Sequence, residues 1–134
     1  MKRSGPQAES LPRSRVSTKS YQKHRTNTMT KTDRLKKLQG AIADFAEQRN
    51  WHQFHAPKNL AMALSVECSE LVEIFQWLTG EQSYEADAPT LSQIREEIGD
   101  IMIYLTLIAS KFDIDPLDAA LDKMEINRRR YPCS

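Results

Sequence analysis

The chain has 134 residues, 19 of them basic and 18 acidic, for a net charge of +1. That length supports one domain with its own core, and the near-neutral total argues against a broadly basic, nucleic-acid-binding surface. Cys68 and Cys133 fit no zinc or redox spacing, and no apolar run reaches the roughly 18 residues of a membrane span. With no secretory h-region either, the expectation is a soluble, cytoplasmic chain.

The charge is unevenly spread. Residues 1–30 hold seven basic residues and one acid, a local charge of +6, which leaves −5 for the remainder. This opening stretch is rich in Ser and Thr and lacks hydrophobic periodicity, so it reads as a disordered basic tail over 1–30, with the domain at 31–134. No nucleic-acid surface is expected on the domain itself.

Thr32 or Asp33 can cap a first helix running to Arg49, with Leu35, Leu38, Ile42, Phe45 and Ala46 as its apolar stripe. A connector dense in aromatic and imidazole groups follows, from Asn50 through Trp51, Phe54 and His55 to Pro57. A second helix is expected over 58–78, with Gly80 at its end. Residues 80–89 read as a loop, and Thr90 as the cap of a third helix over 91–111. This third helix is apolar nearly all round after Glu97, as the central helix of a bundle would be. Asp115-Pro116 opens a fourth helix that ends near Arg130. There is no internal repeat and no convincing strand, so the fold class is all-α: a four-helix bundle.

The second and third helices carry the chemical signal. Glu67 and Glu70 stand three apart on one, Glu97 and Asp100 three apart on the other, so each pair shares a helix face. Like charges at that spacing repel, and among apolar neighbours they also lose solvation. Solvent-facing acids on two amphipathic helices are the bland reading of either pair alone. Two such pairs, each inside an apolar run, point instead to a hard cation such as Mg²⁺ held between facing helices. Around them the chain offers Phe54, His55 and Asn59, then Tyr104 four residues after Asp100, then Lys123, Asn127 and Arg130. Metal-binding acids, phosphate-binding cations and base-stacking rings together form an inventory for a nucleoside triphosphate. There is no glycine-rich phosphate loop, so metal and side chains would hold the phosphates.

Four blocks in order carry a family resemblance: Q-F-H-x-P-x-N-L at 53–60, E-C-S-E-L-V-E-I-F-Q-W at 67–77, E-E-I-G-D-I-M-I-Y-L at 96–105 and K-M-E-I-N-R-R-R-Y-P at 123–132. Over about residues 33–132 the chain resembles the MazG-type all-α nucleotide pyrophosphohydrolases, and within them the dCTP pyrophosphatase branch. The resemblance implies a MazG-like bundle that cleaves a nucleoside triphosphate, dCTP or a modified dCTP, to the monophosphate and pyrophosphate with Mg²⁺. It places the metal ligands and catalytic acids on Glu67, Glu70, Glu97 and Asp100. It places nucleotide contacts on His55, Tyr104, Lys123 and Asn127, with Trp77 as a wall of the base pocket. It implies a bundle completed by homo-oligomerisation, a tetramer ahead of a dimer. Val66, Cys68, Ser69 and Glu125 depart from the family's usual residues, which bears on base preference but removes no ligand. The competing class is a non-catalytic helical regulator that binds nucleotides or a partner.

Overall fold

The computed structural model describes residues 30–133. They form four α-helices: α1 (Lys31–Gln48), α2 (Pro57–Phe75), α3 (Ala88–Ser110) and α4 (Pro116–Arg130). Short 3-10 turns lie at Trp51–Phe54 and Gln82–Tyr84, and there is no strand among the described residues. The expected tail falls, apart from Thr30, outside the described range.

Three of the four helices, α1, α3 and α4, start where a side chain captures an orphan backbone N–H, while α2 opens on Ala56 and Pro57 without a side-chain cap. Thr30 caps α1 in a capping box: its hydroxyl accepts from the Asp33 N–H at 3.2 Å while Asp33 accepts from the Thr30 N–H at 3.0 Å. The sequence put this cap two or three residues later. The start of α3 shifts in the same direction. Asp87 accepts from the Thr90 N–H at 2.9 Å, so Asp87 is the cap and Thr90 lies inside the first turn. Pro89 fits there because a first-turn N–H has no intrahelical partner to lose. For α4, Asp115 accepts from the N–H groups of Leu117 and Asp118, with Pro116 in the first turn.

The far end of α2 also differs from expectation. The helix stops at Phe75, three residues early, and Gly80 does not adopt the left-handed conformation of a glycine helix stop. Thr79 and Gln82 instead exchange hydrogen bonds reciprocally: the Thr79 N–H donates to Gln82 Oε1 at 2.9 Å and the Gln82 N–H to Thr79 Oγ1 at 3.2 Å. This local capping arrangement competes with continuation of α2 and opens the next turn.

Helices α2 and α3 pack most extensively against each other, α1 lies against α3, and α4 touches α3 only slightly. The fully buried set is small. Among the described residues it comprises Leu35 and Ala46 on α1, Leu60 on α2, and Thr106 and Ala109 on α3. Thr106 is tolerated there because its hydroxyl donates to the Met102 carbonyl at 2.7 Å. Much apolar surface stays open. Leu91, Ile98 and Leu105 are exposed at seven-residue spacing along α3, Met62, Val66 and Val72 on α2, and Leu117, Leu121 and Met124 on α4. The helix expected to be most buried therefore has one covered face and one bare one.

Candidate active site

The site lies where α2 and α3 face each other. Ligand oxygens of Glu67, Glu70 and Glu97 lie within 4.8 Å of one another. Asp100 is one turn beyond Glu97 and lines the same cavity as Glu67. The helices hold these acids together against their repulsion, and the protonation equilibria register it. Burial, then the Asp100, Glu70 and Glu97 carboxylates, hold the Glu67 carboxyl above its ordinary value. Burial, then Glu70, Asp100 and Glu96, do the same to Glu97. Among the described residues no lysine or arginine forms an ion pair with these four acids.

The residues fit a hard divalent cation. All the donors are carboxylate oxygens, the ligand type such ions select. Glu97 Oε2 is shielded from solvent without a hydrogen-bond partner, a position that is unfavourable unless something satisfies it. A cation between Glu67, Glu70, Glu97 and Asp100 would satisfy it and cancel the repulsion.

Three cavities surround the acids. One, of about 370 Å³, is bordered by Glu67, Asp100, His55, Tyr104 and Trp51, and walled by Leu38, Ala41, Ile42, Phe45, Ala46, Ile103 and Leu107. A second, of about 360 Å³, is lined by Trp51, Phe54, His55, Asn59, Leu60, Ala63 and Tyr104. The third, of about 320 Å³, lies on the other side of the cluster and is lined by Glu70, Glu73, Ile74, Gln93 and Glu97. The cluster thus separates an aromatic, apolar chamber from a polar one. A larger cavity of about 510 Å³ opens near His52, Lys111 and Asp115 and contains none of the acids.

The aromatic chamber owes its shape to the turn after α1. Asn50 takes a left-handed conformation, φ 53° and ψ 38°, and turns the chain sharply at the end of the helix. Trp51 then sits edge-on to Phe45 at 5.6 Å and to His55 at 6.4 Å between ring centroids. Arg49 stacks over the Phe45 ring at 3.5 Å. Burial, then the Lys111 and His52 charges, hold the His55 imidazole below its ordinary value, which favours the neutral ring. Burial, then Glu67 and Asp100, hold the Tyr104 phenol above its ordinary value, so it remains a hydrogen-bond donor.

The structure therefore gathers Glu67, Glu70, Glu97, Asp100, Phe54, His55, Asn59 and Tyr104. It does not gather the rest of the expected set within one chain. Trp77 is 86% exposed and borders none of the three cavities. Lys123, Asn127 and Arg130 lie on α4, which contributes nothing to them, and among the described residues no lysine or arginine lines any of the three. Sequence reasoning did not assign Trp51 and the α1 wall to the site, nor Glu73 and Gln93. The α1 residues look like any core-facing stripe, and only the open chamber beside Asp100 distinguishes them.

An all-helical chain with a carboxylate cluster between two helices, flanked by an aromatic chamber, belongs to a class of helical proteins that could hold a metal ion beside an aromatic ligand. Comparison with known proteins narrows it. The sequence profile of the MazG-like family matches residues 62–134. dCTP pyrophosphatase 1 of Homo sapiens is 44% identical over 100 residues, covering 73% of this chain and 59% of that protein. The proteins of the same name from Bos taurus and Mus musculus are 43% and 38% identical over equal lengths and coverage. The chain thus spans about 59% of the length of the curated relatives it matches. Among solved structures, a pyrophosphatase from Archaeoglobus fulgidus DSM 4304 superposes with a TM-score of 0.70 at 37% identity, covering 75% of this chain and 94% of that one. The chain belongs to the MazG-like family.

Proposed function

We propose that the chain is a Mg²⁺-dependent nucleoside triphosphate pyrophosphohydrolase acting on dCTP or a modified dCTP in the cytoplasmic nucleotide pool. No helix among the described residues is long and apolar enough to cross a membrane. The observation that carries the reading is the acid cluster set between an aromatic chamber and a polar one. The names of the relatives supply the substrate class.

The base occupies the chamber walled by α1, against Trp51, His55 and Tyr104, and the phosphates extend past the acids toward Glu70 and Glu97. Glu67, Glu70, Glu97 and Asp100 would hold the ion, which when bound neutralises triphosphate charge and polarises the phosphoryl oxygens. Glu67, at the junction of cluster and chamber, takes the proton of the attacking water. The water oxygen joins phosphorus, the bridging oxygen departs with pyrophosphate, and the nucleoside monophosphate remains.

The phosphates also need cations, and the described residues of one chain bring none to the three cavities. The bare apolar faces of α2, α3 and α4 favour a second copy packing there. That copy's α4 would carry Lys123, Asn127 and Arg130 to the acids of the first, and its Trp77 to the base chamber. The assembly is then a homo-oligomer whose sites are shared between chains.

Pyrophosphate release with Mg²⁺, measured across canonical and modified nucleoside triphosphates, tests this reading. Release is expected with cytosine nucleotides foremost. Release confined to another base would remove the substrate assignment. No release from folded, oligomeric protein would remove the hydrolase reading and leave a nucleotide-binding regulator.

A further inference from the structure

We infer that Asn59 is a positioning residue: it ties the aromatic turn at Trp51–Phe54 to the acid-bearing helix α2. The inference rests on the reading of the site given above, and it concerns how its two halves are kept in register.

Asn59 lines the aromatic cavity, so recognition of a base edge is the obvious role for it. One of its two amide N–H groups is already committed. Nδ2 donates to the Phe54 carbonyl at 3.1 Å, the carbonyl at the open end of the 3-10 turn. That bond fixes the amide plane against the turn, with one N–H and Oδ1 left beside it.

The turn has few other restraints. Gln53 Nε2 donates to the Asn50 carbonyl at 3.0 Å, but that bond lies within the turn and its lead-in. The His55 N–H to His52 carbonyl bond is likewise local. Among the described residues, Asn59 makes the one side-chain hydrogen bond that joins the turn to α2. What it holds is the partition of the site, because Trp51 and His55 on this segment, with Tyr104 facing them, line both aromatic cavities. The same helix carries Glu67 eight residues later, about 12 Å along the axis. One amide thus sets the distance between the ring wall and the carboxylates.

Asn59→Asp replaces the donor with a carboxylate that faces the Phe54 carbonyl, and Asn59→Ser shortens the group without adding charge. For the emission measurement both are made in a Trp77→Phe background, which leaves Trp51 as the sole tryptophan, and for turnover both are made in the otherwise unchanged chain. In the nucleotide-free protein, Trp51 emission is expected to shift to the red and acrylamide quenching to rise. In turnover, KM is expected to rise by roughly three- to tenfold, the fold-change of one neutral hydrogen bond. The rise should be equal for every nucleotide hydrolysed, with kcat and the Mg²⁺ requirement held. Unchanged Trp51 emission in both variants would overturn the inference, and so would a KM change confined to one base. The emission readout needs no turnover, so it judges Asn59 even if the hydrolase reading fails.

Discussion

The α2–α3 pair and α4 divide the chemistry between them in opposite styles. The pair is the most closely packed part of the chain and carries every acid of the cluster. Helix α4 carries the cations Lys123 and Arg128–Arg130, is exposed along nearly its whole length, and adds nothing to the cavities around the acids. Repulsive groups sit where the fold can restrain them, because like charges held within 4.8 Å need a rigid frame. Attractive groups need no such frame. A cation finds an anion on its own, so its helix can be attached loosely and serve a neighbouring chain.

Four measurements break or sharpen that contrast. Glu67→Gln should lose the most. A Lewis-acid ion contributes several kcal/mol to charge stabilisation, so kcat/KM should fall by roughly 10³ or more while the helical circular dichroism stays. Next in size is a complementation. Glu97→Gln and Lys123→Ala should each be impaired alone, yet a co-expressed mixture should regain activity. If α4 serves another copy, about a quarter of sites are intact in a randomly mixed dimer. If each α4 serves its own chain, the mixture stays as inactive as its parts.

The third effect is smaller and concerns pH. Glu67 and Glu97 are held above the ordinary carboxyl value of 4.5, so the folded chain binds those protons more tightly than the unfolded chain does. Their favourable contribution is complete below pH 4.5 and is lost as pH rises through their raised values. Without divalent cation, Tm should fall across that rise. Glu97→Gln should flatten the fall and raise Tm by a few degrees at neutral pH, even as activity is lost. The smallest effect is a control on α1. A Cβ added at Gly40 meets nothing within 4 Å, so Gly40→Ala should stabilise the chain by roughly 0.5–1 kcal/mol, without changing turnover.

Much of this was legible beforehand because it is local. The i, i+3 spacing of Glu67 with Glu70, and of Glu97 with Asp100, is visible in any helical reading. Asp115 and Pro116 announce α4 as clearly in sequence as in structure. Where two local signals compete, the sequence misleads. Asp87 outbids Thr90 for the cap of α3, and the Thr79–Gln82 exchange ends α2 before Gly80 is reached. What could not be read is non-local. Nothing in the order of residues says that Ile42 and Phe45 wall a chamber beside Asp100, or that Lys123 and Trp77 lie away from it in their own chain.

The end of α4 has one more consequence. Glu125 accepts from Arg128 Nη1 at 2.9 Å and lies 3.7 Å from Arg129 Nε, while Arg130 turns over the Tyr131 ring at 5.6 Å. Both ion pairs are exposed, so each contributes little and salt screens it further. They behave as a tether that any multivalent anion can undo. Each pair costs little to break, so Arg128 and Arg129 can be released to another anion without disturbing the helix. The order of this helix end should then follow ionic strength, loosening as salt screens the two pairs.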